Sequence, residues 1–239
     1  MALFSISDLH LSLATPKPMD IFGHRWQGYT SKLEKNWRAI VSEEDTVVIP
    51  GDISWAMHLS EAERDFRFLH SLPGKKILGK GNHDYWWTTV SKMKKILGEW
   101  GIDSIDFLHN NAFETDEFII CGSRGWFIEE RLQNIDSADH AKIAAREALR
   151  LKASLDAGKL LAKDQKKPFL VYLHFPPVSA DFVCREIVSL LKEYNVSECF
   201  YGHLHGNYTV PRSFEYDGVK MTIIAADHLE FIPHITFLM

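Results

Sequence analysis

The chain has 239 residues, 46% hydrophobic and 25% charged, with a net charge of −5. That length and apolar content suit one α/β or sandwich domain with a sizeable core, and the balance excludes a disordered chain. The acidic surplus gives no general attraction to nucleic acid or to an anionic membrane; the basic runs "KMKK" (92–95) and "KDQKK" (163–167) read as solvated helix faces.

The first segment, "MALFSISDLH", has no basic region and no small-residue cleavage site, so it is not read as a signal peptide. No apolar run approaches a membrane span. Short apolar runs then recur as candidate strands: "LFSIS" (3–7), "TVVIP" (46–50), "KKILG" (75–79), "FIICG" (118–122), "FLVYLHF" (169–175) and "ECFYG" (198–202). Helical patterns separate most of them. They are 31–41; 60–72, with Ser60 and Glu63 as a capping box; "TTVSKMKKILGEW" after Trp87; and "DFVCREIVSLLKEY" after Pro177. Strands alternating with helices predict βαβ units and a mostly parallel sheet.

Between Arg124 and Pro168, Ile143, Ala144, Ala148, Leu151 and Leu155 keep helical spacing, so 130–163 is read as a helical excursion within a single domain spanning 1–239. A packing helix and a lid are both open; its position after the strand end "CGSRGW" favours a lid. From Asn207 the pattern turns to short strands around an Asp217-Gly218 hairpin signal, which predicts an antiparallel end and two packed sheets. Cys121, Cys184 and Cys199 sit in apolar sequence and read as core thiols of a reduced, cytoplasmic compartment, with metal ligation a second choice.

Polar groups gather where the strands end. Asp8 and His10 follow "FSIS", Asp52 follows "VVIP", and Asn82, His83 and Asp84 follow "KILGKG". His174 ends "LVYL", and His203 and His205 follow "CFYG". The carboxyl ends of parallel strands form the crevice in which α/β proteins bind ligands, so these groups can converge. Residues two apart on extended chain point the same way, which pairs Asp8 with His10 and His203 with His205. Imidazoles, carboxylates and an amide make a nitrogen and oxygen donor set suited to manganese, iron or zinc. So many donors suit two ions about 3.5–4 Å apart sharing a carboxylate, a device of phosphoryl chemistry. Taken singly, "DLH", "GD", His174 and "GHLH" each have an ordinary reading as turns or satisfied histidines.

The ordered set D-x-H, G-D, G-N-H-D, H, G-H-x-H, running from residue 8 to 205, resembles the calcineurin-like metallophosphoesterase family. The resemblance implies a four-layered α/β/β/α sandwich of two mixed sheets flanked by helices. It implies that Asp8, His10, Asp52 and His205 hold one metal, that Asp52, Asn82, His174 and His203 hold the other, and that Asp52 bridges. His83 matches the catalytic histidine, and Asp84 would steady the loop from behind the ligands. The implied activity is metal-dependent hydrolysis of a phosphate mono- or diester by metal-bound hydroxide. The expected partner is a small-molecule phosphate ester, with nucleic acid disfavoured and no membrane.

In "GDISWAM", Ser54 and Trp55 stand where protein phosphatases of the superfamily carry an Asp-Arg pair, which disfavours that subgroup. Arg124 is the candidate phosphate clamp, a structural arginine being the other reading. Tyr85, Trp86 and Trp87 are expected to begin the next helix and pack beneath the site; Trp26 and Trp55 are the other aromatics that could help line it. A non-catalytic interaction module on the same fold is the alternative function, but such scaffolds lose ligands that this sequence keeps.

Overall fold

The computed structural model describes residues 1–127, 137–163, 166–206 and 208–238. Two mixed sheets lie face to face between helices, the four-layered α/β/β/α sandwich expected. The first sheet has the order β11-β1-β2-β3-β4. Its strands are β1 (Leu3–Ser5), β2 (Thr46–Ile49), β3 (Lys75–Leu78), β4 (Ile105–Phe107) and β11 (His234–Phe237). The second has the order β5-β6-β7-β8-β10-β9, from β5 (Phe113–Glu114), β6 (Ile119–Ser123), β7 (Phe169–Leu173), β8 (Val196–Tyr201), β9 (Ser213–Tyr216) and β10 (Val219–Ile223). The central strands of both sheets run parallel, with antiparallel edges at β11, β5 and β9.

Period-2 alternation explains why the strands read as unbroken apolar runs. On β6, β7 and β8, Ile120, Leu170, Tyr172 and Phe200 join the core shared with the first sheet. Their neighbours Ile119, Cys121, Val171, Leu173, Cys199 and Tyr201 join the core beneath the outer helices. Helices α1 (Tyr29–Ile40), α2 (Glu63–Ser71) and α3 (Val90–Glu99) bury Leu33, Trp37, Phe66, Leu69, Met93 and Leu97 in the first core. Helices α4 (Ser137–Ala162) and α5 (Arg185–Glu193) cover the second sheet.

Several expectations need correction. The capping box is not Ser60–Glu63: a 3-10 turn over Leu59–Ala62 precedes α2, and Glu61 accepts the His58 N–H at 3.1 Å. Tyr85, Trp86 and Trp87 form a turn before α3, which starts at Val90 behind the cap Thr89. The tail is not wholly antiparallel, because β10 lies parallel to β8. Strands β4 and β5, too short to stand out as apolar runs, extend the sheet edges. Helix α4 packs as a layer on β6 and α5, burying Ala144, Leu151 and Leu155, as the packing-helix reading of the excursion expects over its described length. Its predicted start at 130–136 lies outside the described residues. The three cysteines are free and buried, and no candidate metal group among the described residues includes one.

Candidate metal centre

Loops after β1, β2, β3, β7 and β8 meet at one end of the sandwich. Backbone ties align them: Asp8 N–H donates to Gly51 O at 3.0 Å, His10 N–H to Asp52 O at 2.9 Å, and Gly202 N–H to His174 O at 3.1 Å. Glycine lets the loops close up. A Cβ at Gly81 would fall 2.0 Å from Asp52 Oδ1, and one at Gly202 would fall 2.1 Å from Asp8 Oδ2. Asp8, His10, Asp52 and His203 all have positive φ, at 61°, 45°, 52° and 69°. Four non-glycine residues in that sparsely populated region mark backbone strain concentrated at the site.

The donor atoms form two groups that share a carboxylate. In one, His10 Nε2 lies 3.1 Å from His205 Nε2 and 3.6 Å from Asp52 Oδ2, and His205 Nε2 lies 3.3 Å from Asp8 Oδ1. In the other, Asn82 Oδ1 lies 2.7 Å from His174 Nε2 and 3.1 Å from His203 Nδ1, with His174 Nε2 3.5 Å from Asp52 Oδ2. Asp8, His10 and His205, and Asp8, Asp52 and His174, are each close enough together to hold an ion, so Asp8, with Oδ1 3.3 Å from His205 Nε2 and 3.8 Å from His174 Nδ1, reaches both groups as Asp52 does. Lone-pair donors turned toward one another in a buried space are what a divalent cation resolves, and the nitrogen and oxygen set fits manganese, iron or zinc.

The electrostatics agree. Burial, then the carboxylates of Asp84 and Asp8, push the Asp52 carboxyl well above its ordinary range. Burial also opposes charge on His205, but Asp8 and Asp227 outweigh it and raise the imidazole to about 10. Burial would raise Asp8 too, yet the surrounding imidazoles, His205 foremost, hold it below the usual carboxylate range. His10 and His174, unlike His205, are pushed well below the ordinary imidazole range, chiefly by burial. A cation placed among these groups would lower Asp52 and His205 again and reinforce the low values of Asp8, His10 and His174, leaving every donor deprotonated.

Asp84 sits behind the ligands. Its Oδ2 accepts the N–H groups of Asp52 (2.8 Å) and Gly81 (2.7 Å), and its Oδ1 accepts Ile53 N–H (2.8 Å) and the Trp86 indole (3.0 Å). One buried carboxylate thus pins the β2 and β3 loops together. Burial lifts its carboxyl to about 6 against the pull of those donors. His83 stands beside the cluster, its N–H donating to Asp52 Oδ1 at 2.8 Å and its ring 4.5 Å from that of Trp55 and 5.6 Å from that of His10.

Arg124 is placed differently from a free clamp. Its guanidinium bonds the buried Glu147 of α4 at 3.3 Å, the carboxylate that also binds Arg150 at 2.8 Å. Trp86 packs on Phe66 in the core, whereas Trp55 stacks 4.8 Å from His10 and Trp26 meets His205 edge-on at 5.6 Å. Phe175 meets His203 edge-on at 4.6 Å, and Tyr85, exposed rather than packed beneath the site as expected, turns its ring edge-on to His83 at 6.1 Å.

Sequence reasoning missed two carboxylates. Asp227, fully buried, accepts Gly206 N–H at 3.0 Å and the Tyr208 hydroxyl at 3.0 Å and lies 3.1 Å from His205 Nδ1, orienting that ring. Its only signal is its place at the end of "TIIAA", one more strand-end carboxylate. Asp65 on α2 accepts the Ser54 hydroxyl at 2.5 Å and Leu13 N–H at 2.9 Å, tying the loops after β1 and β2.

A two-sheet sandwich with such a donor cluster at its strand ends is the frame of a metal-dependent phosphoesterase. The chain belongs to the calcineurin-like phosphoesterase family, whose model matches residues 1–207. A search of the curated proteins returned no match. Solved structures share the fold at low identity. Phosphopantetheinyl hydrolase (PptH) from Mycobacterium tuberculosis aligns with TM-score 0.52 and 18% identity over 94% of this chain and 88% of its own. TT1561 of Thermus thermophilus aligns with TM-score 0.56 and 12% identity over 95% and 89%. AQ665, a protein of unknown function from Aquifex aeolicus, aligns with TM-score 0.50 and 18% identity over 98% and 94%. These likenesses speak to fold alone. No helix among the described residues is long and apolar enough to cross a membrane.

Proposed function

We propose that the protein is a binuclear phosphohydrolase that cleaves a small-molecule phosphate mono- or diester. Asp8, His10, Asp52 and His205 would hold one divalent ion, and Asp52, Asn82, His174 and His203 the other. The observation that carries this reading is the convergence of both donor groups on Asp52 Oδ2, 3.6 Å from His10 Nε2 and 3.5 Å from His174 Nε2. Two such ions, when bound, would supply an activated water and neutralise the attacking and leaving oxygens of a phosphoryl displacement.

The chain's own residues do the rest. Asp52 sets the spacing of the two halves. Asp84 and Asp227 keep Asp52 and His205 aimed, so that little reorganisation remains when substrate arrives. His83, beside the cluster but outside both donor groups, would give a proton to the departing oxygen. Arg124 is left out of the binding set because Glu147 already engages it.

The test is to strip the protein of metal, reload it with manganese, and measure both ion stoichiometry and hydrolysis of nitrophenyl phosphate and bis(nitrophenyl) phosphate. Two ions per chain and metal-dependent turnover are expected, and the faster ester assigns the mono- or diester class. A folded protein that takes up no ion and hydrolyses neither ester would sink the proposal.

A further inference from the structure

A cavity of about 400 Å³ opens beside the metal centre, and the proposed catalytic groups form only its floor. His10, His83 and His205 line one side. The remainder comes from the loop after β1 (Lys17, Met19, Phe22 and Trp26), from Trp55 after β2 and from Gly206 after β8. This apolar wall is constructed rather than incidental. The Trp55 indole N–H meets Met19 Sδ at 3.1 Å, and Lys17 Nζ lies 3.4 Å from the centre of the same ring. Phe22, by contrast, is 56% exposed at the mouth, with Ile21 beside it 73% exposed. Large apolar side chains left in water at the edge of a polar site mark a surface that something else covers.

We infer that this cavity receives the organic group of the substrate, and that the group is apolar, preferably a flat ring that packs on the exposed Phe22 and on the small part of Trp55 and Trp26 left uncovered, the Trp55 ring being already engaged by His10 and Lys17. The inference rests on the phosphohydrolase reading and names the substrate class for that site. The argument for this occupant is continuity. His83 lines the cavity, so the oxygen to which it gives a proton must carry its substituent into the space bounded by these side chains. Beyond Lys17, the three imidazoles and the indoles, no lining side chain among the described residues carries a hydrogen-bonding group to repay desolvation of a sugar or a short polyol. A ring would instead bury apolar surface and find aromatic partners.

Two phosphonates, whose carbon–phosphorus bond is not hydrolysed, separate this idea from the reading beneath it. Methylphosphonate and 1-naphthylmethylphosphonate would be titrated into the manganese-loaded protein, with calorimetry and intrinsic tryptophan fluorescence as readouts. The naphthyl compound should bind at least about tenfold more tightly, the gain expected for removing a ring's surface from water, and should perturb tryptophan emission. Phe22→Ala, a substitution at an exposed position that leaves the core intact, should shrink that preference several-fold. In turnover, the loss should fall on KM for 1-naphthyl phosphate. Equal affinity for the two phosphonates would overturn the inference and leave the phosphohydrolase reading standing. A full preference persisting in the Phe22→Ala protein would place the ring elsewhere and overturn the cavity assignment. Failure to bind either phosphonate or inorganic phosphate would bring down both readings together.

Discussion

Gly81→Ala should disable the centre although no donor residue is substituted. An added Cβ would lie 2.0 Å from Asp52 Oδ1 and 2.3 Å from the Asp52 backbone nitrogen. A rotamer change could relieve the clash with the side chain. The contact with backbone nitrogen has no such escape, and it forces the β2 and β3 loops apart by about 1 Å before van der Waals distances are restored. That movement strains the two hydrogen bonds that cross between the loops to Asp84, from Asp52 N–H (2.8 Å) and Ile53 N–H (2.8 Å). Buried groups left unpaired cost about 1–3 kcal/mol each, so a loss of about 2–4 kcal/mol of stability is expected. A misplacement of about 1 Å at a catalytic group costs on the order of 10²-fold in rate. Gly98 near the end of α3 is the control, since nothing lies within 4 Å of its added Cβ. Gly98→Ala should raise stability by about 0.5–1 kcal/mol with unchanged turnover. Urea denaturation of both variants, metal analysis after dialysis and nitrophenyl phosphate kinetics would decide the matter. A Gly81→Ala protein that keeps two tightly bound ions and turnover within about threefold of wild type would refute the close-approach argument.

Asp52→Asn should lose both ions together, because one carboxylate serves both donor groups; an unchanged stoichiometry by elemental analysis would remove the bridge. His83→Ala should retain its ions and fold but lose about 10²–10⁴-fold on an alkyl phosphate and much less on a nitrophenyl ester, whose leaving group needs no proton. An equal loss on both esters would mean that His83 binds the phosphate instead. Asp227→Asn should weaken metal affinity about 10–100-fold in competition with a chelator dye, since His205 loses the carboxylate that orients it, and wild-type affinity would show the contact to be idle. With His205 raised to about 10 in the metal-free protein, a proton occupies it at neutral pH and must leave when its nitrogen becomes a ligand. Metal uptake should therefore release a proton and tighten as pH rises, which calorimetry in buffers of different ionisation enthalpy would read. In the metal-free fold the same imidazolium contributes stability that is complete below the ordinary 6.5 and is lost as pH climbs through about 10.

Local sequence determined the strand and helix skeleton and the place of the donors. A short β-branched run between helical patterns has few ways to be buried, and the chain leaving the carboxyl end of a parallel strand must pass over the crevice. That is why Asp8, Asp52, Asn82, His174 and His203 could be assembled from strand ends alone. The Asp217-Gly218 turn was equally local, a matter of two residues that tolerate positive φ. The roles of Asp227, Asp65 and Glu147 were decided elsewhere. Each is a carboxylate whose partner lies far along the chain: His205 for Asp227, Ser54 and Leu13 for Asp65, and Arg124 for Glu147. No periodicity encodes such pairs, because they exist only after sheets and helices have docked and left a buried charge in need of a donor. The same holds for Arg124, a candidate clamp by its place after β6 until α4 brings Glu147 against it. It holds for Trp55 as well, which stacks on His10 only because the loops after β1 and β2 are laced side by side.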